Sequence, residues 1–235
     1  MQKTVTIHQP DFMPWLGLFN KINKADEFIV LDHTLNNPKS PEFYCRRVKM
    51  LIGGKDHWMS VSLKKDDKNL FIPINEMELQ MNEKTTKKFL QSVELNYKKA
   101  PYFKDVFYLV EDYFTMSNQN LSQKNSWFIT EVMKKLNVTT KVVNSTNLSP
   151  QFSSNDMLID LLEKRKATTY LCGAGASGYQ KDILYLSKNI EVTYNCFSHP
   201  TYIQFNSKEF IKGLSIIDSL MNLGFEQTEK LVKSS

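Results

Sequence analysis

Residues 1–32 constrain the fold more than any other segment of the chain. Thr4-Val5-Thr6-Ile7 is a short apolar strand pattern that runs straight into His8-Gln9-Pro10. A turn-rich stretch with Pro14-Trp15-Leu16-Gly17 follows, then an amphipathic segment, and Phe28-Ile29-Val30-Leu31-Asp32 closes the unit. That order reads as strand, polar loop, helix, strand, with histidine ending the first strand and aspartate the second. In an open parallel sheet, ligands bind in the crevice beyond the carboxyl ends of the strands. His8 and Asp32 therefore stand where chemistry or recognition is expected. The plainer reading is an ordinary strand–helix–strand unit whose loop happens to be polar.

The last third of the chain returns to the same alternation. Lys141-Val142-Val143 is a strand, Ser154 or Asn155 caps a helix carrying Met157, Leu158, Leu161 and Leu162, and Thr169 to Cys172 is a strand. A helix from about Tyr179 to Lys188 leads to a strand over Glu191 to Phe197, and a final helix over Leu214 to Leu223 is stopped by Gly224. Strands separated by helices of this length predict an α/β fold with a mainly parallel sheet. Two segments interrupt the pattern. Residues 44–74 read as an inserted β-hairpin turning at Gly53-Gly54, with Met59, Val61 and Leu63 on the buried side of the return strand. Residues 82–137 read as helical, with Asn82 as an N-cap, Pro101 in a first turn, and aromatics such as Phe89, Phe103, Phe107 and Trp127 as core. Residues 1–235 are expected to form a single domain.

Several elements suit chemistry. Cys172-Gly-Ala-Gly-Ala-Ser-Gly-Tyr179 is a small-residue loop between a strand and a helix, so its backbone N–H groups can approach an anion closely. Gly173, Gly175, Ser177 and Tyr179 are its candidate binding residues. The spacing matches neither the dinucleotide fingerprint nor the Walker phosphate loop, and a simple connection is the plainer reading. His199-Pro200-Thr201-Tyr202-Ile203-Gln204 follows the last strand, which puts His199 at a strand end corresponding to that of His8. Either histidine suits acid–base work or phosphate contact, and either can instead be structural. Arg46, Arg47 and Lys49 form a basic cluster on the hairpin; Arg47 can grip a phosphate if it points inward and is solvated if it points outward.

The bulk properties narrow the classes without choosing among them. The 41% hydrophobic and 23% charged composition is that of an ordinary globular chain, and the net charge of +5 suits a phosphate-bearing small molecule. Dispersed lysines and the absence of a recognised module speak against nucleic acid. Cys45, Cys172 and Cys196 lack CxxC pairing, and His8, His33, His57 and His199 lack ligand spacing, so neither a disulfide framework nor a metal is expected. No apolar run reaches membrane-spanning length and no signal-peptide pattern follows Met1, which predicts a cytoplasmic protein without a transmembrane segment.

Taken together, these segments resemble the WbqC-like family of bacterial proteins, often encoded among lipopolysaccharide and O-antigen genes. The resemblance covers nearly the whole chain. It rests on IHQPDFMPWLGLFNKINKADEFIVLD, RRVK with GGKDHWMSVSL, KAPYF, YLCGAGASGYQKDIL, and FSHPTYIQF with LSIIDSLMNLG. It draws attention to His8, Gln9, Pro10, Pro14, Trp15, Gly17, Asp32, Arg47, Gly173, Ser177, His199, Pro200, Tyr202 and Gln204. The chain departs from the family pattern at His33, Leu35 and Arg46, close to the expected crevice, which leaves room for a different substrate. The opening unit and GASGYQKDIL are also distantly similar to nucleotidylyltransferases of the HUP type, implying a Rossmann-like sheet. Pro14 and Gly17 stand where that group carries its paired histidines, so nucleotidyl transfer by that motif is not expected.

The resemblance implies a role in O-antigen or surface-polysaccharide biosynthesis. The leading expectation is a transferase that moves an acyl or aminoacyl group onto the amine of a nucleotide-linked amino sugar. His8 or His199 would act as base, Asp32 would orient it, and Gln9, Trp15, Arg47, the glycine loop, Tyr202 and Gln204 would hold substrate. No cofactor is firmly implied beyond an activated acyl donor, and a homodimer stays open. The alternative is a non-catalytic sugar-nucleotide-binding or scaffold protein of the same pathway.

Overall fold

The computed structural model describes residues 2–37, 39–64, 71–175 and 180–234. Strand β1 (Thr4–His8) buries Val5, Thr6 and Ile7 together, as a strand covered on both faces must. A tight loop leads into helix α1 (Leu16–Asn23), which buries Leu16, Leu18, Phe19 and Ile22, and β2 (Glu27–Val30) is buried throughout. The chain then leaves the sheet for about a hundred residues. The two-residue strand β3 (Leu35–Asn36) is followed by the hairpin of β4 (Arg47–Ile52) and β5 (Lys55–Ser60). Gly53 and Gly54 both take positive φ, 59° and 78°, at its two-residue turn, the conformation for which glycine is favoured there. Short β6 (Ile72–Pro73) returns to pair antiparallel with β3.

Helices α2 (Glu83–Tyr97), α3 (Phe103–Thr115) and α4 (Leu121–Lys135) complete the insertion. Asn82 caps α2 reciprocally: its side chain accepts from the Thr85 N–H while the Thr85 hydroxyl accepts from the Asn82 N–H. The chain re-enters the sheet as β7 (Lys141–Asn144) and continues through α5 (Ser154–Lys164), β8 (Thr169–Gly173), α6 (Asp182–Leu186), β9 (Glu191–Asn195) and α7 (Ile216–Ser234).

Among the described residues five strands form one parallel sheet in the order β7-β2-β1-β8-β9. The strand order reverses between β1 and β8, as in doubly wound Rossmann-like sheets. Two apolar cores cover its faces. One joins α1, Phe28 and Val30 of β2, the hairpin, α2–α4 and α7. The other joins Val5 and Ile7 of β1, Ile29, α5 and Tyr185 of α6. The fold is therefore α/β with a Rossmann-like parallel sheet, and the hairpin and helical segment thicken one of its layers.

Local details differ from the sequence expectation where long-range contacts intervene. Neither Ser154 nor Asn155 caps α5: Ser153 occupies the N-cap, and the Asn155 side chain accepts from Tyr185 Oη at 3.1 Å and the Lys181 N–H. The helix expected over 179–188 is confined to Asp182–Leu186 among the described residues, and the last strand ends at Asn195 rather than Phe197. Gly224 breaks the final helix as expected, at φ 75° and ψ 178°, but a second helical stretch follows because Thr228 and Val232 are buried beyond it. Asn20 of α1 anchors that stretch by donating to Val232 O at 2.9 Å. A Cβ at Gly224 would meet the Tyr102 ring at 2.8 Å in a backbone conformation that L side chains rarely adopt. Gly224→Ala is therefore expected to cost about 1–3 kcal/mol of unfolding free energy, measured by urea denaturation.

Candidate functional site

The reversal of strand order between β1 and β8 opens a crevice at their carboxyl ends, because α1 leaves β1 toward one face and α6 leaves β8 toward the other. His8 ends β1 and Gly173 ends β8. Two charged residues that the sequence reading passed over lie against this point. Lys21, on the buried face of α1 and 4% exposed, donates from Nζ to Ile7 O at 3.2 Å. Asp11, 7% exposed, approaches His8 Nδ1 with Oδ2 at 3.9 Å.

The His8 Nδ1 lies 3.1 Å from Gln9 O, so the proton is assigned to Nδ1 and Nε2 carries the lone pair. Burial and then the Lys21 ammonium push the His8 imidazole well below its ordinary value, and about a third of its side chain (34%) still reaches solvent. Burial pushes the Asp11 carboxyl up to about 7 against the pull of Lys21. Burial pulls Lys21 down to about 8 against the pull of Asp11. A base, a carboxyl and an amine that titrate near or below neutrality thus share one sheet end, the pattern expected of a functional site. The two nearby thiols are different: burial raises Cys172 to about 11 and holds Cys45 well above its usual range, so neither is a thiolate at neutral pH.

These shifts carry a sign that stability measurements can read. The folded state holds the Asp11 proton more tightly than the unfolded chain, so this contribution to stability is lost as pH rises from about 4 to about 7. Lys21 acts oppositely, and its penalty is relieved as pH rises from about 8 toward 10.5. Asp11→Asn should gain stability relative to the parent between pH 4 and pH 8, by thermal denaturation followed across that range. A difference that does not change over the window would remove Asp11 as a buried, perturbed carboxyl.

The loop that carries His8 is pinned from three sides. Asn125 of α4, fully buried, donates from Nδ2 to both Pro10 O and Cys45 O at 2.7 Å and accepts from Tyr113 Oη at 2.8 Å. Ser215 Oγ donates to Met13 O at 2.7 Å, and the Ile216 N–H donates to Pro14 O at 2.8 Å. Met13 is held at φ 42° inside this clamp. No signal in the sequence marks Asn125, which lies on the same helix as ordinary core residues.

The remaining candidates separate. Gln9 stays beside His8, where it donates to Thr34 Oγ1 at 3.4 Å and accepts from Asn36 Nδ2 at 3.3 Å. Among the described residues a Cβ at Gly173 or Gly175 would meet nothing within 4 Å, and neither takes a positive φ. Glycine here leaves open room beside the backbone rather than answering a conformational need. Ser177 and Tyr179 lie outside the described residues. Asp32 does not orient His8. Its carboxylate accepts from Asn144 Nδ2, Ser145 Oγ, and the N–H and hydroxyl of Thr146, tying the end of β2 to the end of β7. Among the described contacts the carboxylate that approaches His8 is Asp11.

His199 belongs to a separate aromatic group, and no contact joins it to His8 among the described residues. Its ring lies 6.3 Å from Trp15 in a stacked arrangement and packs on Phe197, Tyr202 and Phe210. Gly17 is required for that arrangement, because a Cβ would lie 2.4 Å from the Trp15 ring. Burial lowers the His199 imidazole below its ordinary value. Tyr202 Oη and Gln204 Nε2 both donate to Asp218 Oδ2, at 2.7 and 3.0 Å, while Tyr97 Oη donates to Oδ1 at 3.0 Å. They anchor the segment after β9 to a buried carboxylate on α7. Arg47 neither enters the crevice nor hangs free: its guanidinium carbon lies 3.9 Å over the Trp58 ring, with Nε buried and unpaired. Among the described residues no group of three or more His, Cys, Asp and Glu side chains could hold a metal. Two cavities, of about 660 and 280 Å³, lie away from the sheet end, beside the hairpin.

A Mycobacterium tuberculosis (strain ATCC 25618 / H37Rv) protein described as "Uncharacterized protein Rv1507c" is 26% identical over 232 residues, covering 97% of each chain. No solved structure matches. No helix among the described residues is long and apolar enough to cross a membrane. The WbqC-like protein family matches residues 9–230, a span that begins just after β1 and takes in the Asp11 loop, the whole insertion, β8 and the Asp218 anchor, and the chain belongs to that family.

Proposed function

We propose that the chain is an enzyme acting on a nucleotide-linked amino sugar in surface-polysaccharide assembly, transferring an acyl or aminoacyl group to the sugar amine. The observation that carries this reading is the His8–Asp11–Lys21 group at the switch point of the sheet, where β1 lies beside the strand that ends at Gly173. The phosphates of the ligand lie against the backbone of the glycine segment, with Lys21 as the nearest buried cation. The sugar amine attacks the carbonyl carbon of the activated donor, and His8 Nε2 takes the proton the nitrogen loses. The donor's leaving group departs with the bonding pair of the old carbon–heteroatom bond and is protonated by solvent. Asp11 stands behind Nδ1, placed to stabilise the imidazolium as it forms.

An anionic ligand changes the electrostatics in the direction this scheme needs. Burial, and after it the Lys21 ammonium, holds His8 low in the free protein. Phosphates that offset the ammonium remove the smaller of these two causes and shift the imidazole upward, the direction a base needs. The test is calorimetric titration of the full chain with nucleotide-linked sugars, followed by incubation with activated acyl donors and mass spectrometry of the sugar. A mass increase by one acyl group supports the reading. Binding without product supports the non-catalytic alternative, and the absence of binding by any phosphate-bearing sugar overturns both.

A further inference from the structure

We propose that the cavity between β5 and α2 is a second, separate binding site, and that it takes a neutral pyranose ring. It has a volume of about 280 Å³ and lies on the insertion rather than at the sheet end. Drug-sized ligands occupy pockets of about 300–1,000 Å³, so this one suits a single ring. Its apolar lining is Met59, Val61, Met81, Phe89 and Phe114, and Trp58 also borders it. The polar part of the lining includes Ser60, Ser62, Gln80, Lys88 and Ser92. No hydrogen bond joins these five side chains to another described residue.

That division of surface is the division a pyranose presents. One face of the ring offers C–H groups to an aromatic or thioether surface, and its edge offers hydroxyls that both donate and accept. Trp58 is held ready for such a partner. The residue is 43% exposed, with Arg47 3.9 Å over its ring and Tyr44 stacked at 5.8 Å and 16°. A ring fixed in the free protein loses little conformational entropy when a ligand covers it. Tyr44 is itself 44% exposed, so two large aromatics lie side by side in solvent at the hairpin surface.

Other ligand chemistries fit less well. An acyl chain would cover the hydroxyl and amide part of the lining without pairing it, and polar groups covered without partners are costly. A phosphate would find Lys88 as the one charged side chain of the lining. The site is independent of the role proposed for the switch point, and either reading survives the failure of the other.

The three tryptophan indole N–H signals of the ¹⁵N-labelled full chain report on it, with Trp58 identified by Trp58→Phe. Glucose, galactose and N-acetylglucosamine are titrated in turn, with sodium octanoate and inorganic phosphate as the competing chemistries. The expected result is a saturable shift of the Trp58 signal by at least one sugar, in the millimolar range typical of weak single-ring binding, while Trp15 and Trp127 stay in place. Trp58→Ala, followed by the backbone amide signals of Gln80 and Met81 in place of the lost indole signal, should weaken that binding about tenfold or more. Gln80→Ala, on an exposed position that does not threaten folding, should weaken it by a smaller factor. A Trp58 signal unmoved by all three sugars, or moved only by octanoate or phosphate, overturns the proposal.

Discussion

Replacing Asn125 with leucine is expected to lower the unfolding free energy by about 3–5 kcal/mol, although leucine is apolar and close in size. The side chain is fully buried and satisfies three partners at once: Pro10 O, Cys45 O and Tyr113 Oη. Leucine leaves two carbonyls and a hydroxyl without partners in the core, each costing about 1–3 kcal/mol. Asn125→Asp is expected to be at least as harmful, because a carboxylate would face two carbonyl oxygens from a buried position. Urea denaturation measures both variants. A leucine variant within about 1 kcal/mol of the parent would mean that the His8 loop is held by other contacts.

Replacing His8 with alanine is expected to reduce turnover of the nucleotide-linked sugar by a factor of about 100 to 10,000, the usual cost of removing a positioned base. The fold should survive, because His8 is partly exposed and its ring contributes a single local bond to Gln9 O. Substrate affinity should change little if, as proposed, the phosphates rest on backbone and on Lys21. A folded His8→Ala variant with full turnover would remove His8 from the mechanism. Asp11→Asn is expected to lower turnover less, as it keeps the loop geometry while removing the charge behind Nδ1. In the free protein the His8 ring signals should titrate below the ordinary histidine range and move upward when a phosphate-bearing ligand binds.

Much of the candidate site was visible in the chain order. A histidine ending the first strand and a glycine segment ending a later one were both legible from local alternation, and both reach the crevice. The partners assigned to them were less accurate. Asp32 reads as the orienting carboxylate because it follows β2, the strand beside β1, but its carboxylate bonds to the end of β7 on the other side. The Asp32 oxygens are claimed by Ser145 and Thr146, more than a hundred positions later. Asp11 and Lys21 sat in plain view as a polar loop residue and one lysine of a mixed helix. Only burial against the sheet turns them into perturbed groups. Tyr202 and Gln204 looked like ligand contacts after the last strand, and Asp218 of α7 takes them both.

The sequence by itself determined the elements: period-two and helical patterns, the Asn82 cap, the Gly53-Gly54 turn and the break at Gly224 all act within a few residues of themselves. It determined the α/β class for the same reason, since alternation of strands and helices is a local property of the chain. The tertiary structure alone decided which strand ends meet, because the order β7-β2-β1-β8-β9 depends on pairings between distant segments. It also decided which charges lose their water. A carboxyl near 7, a lysine near 8 and a clamped proline loop exist only once α1, α4 and the two flanking strands close around them.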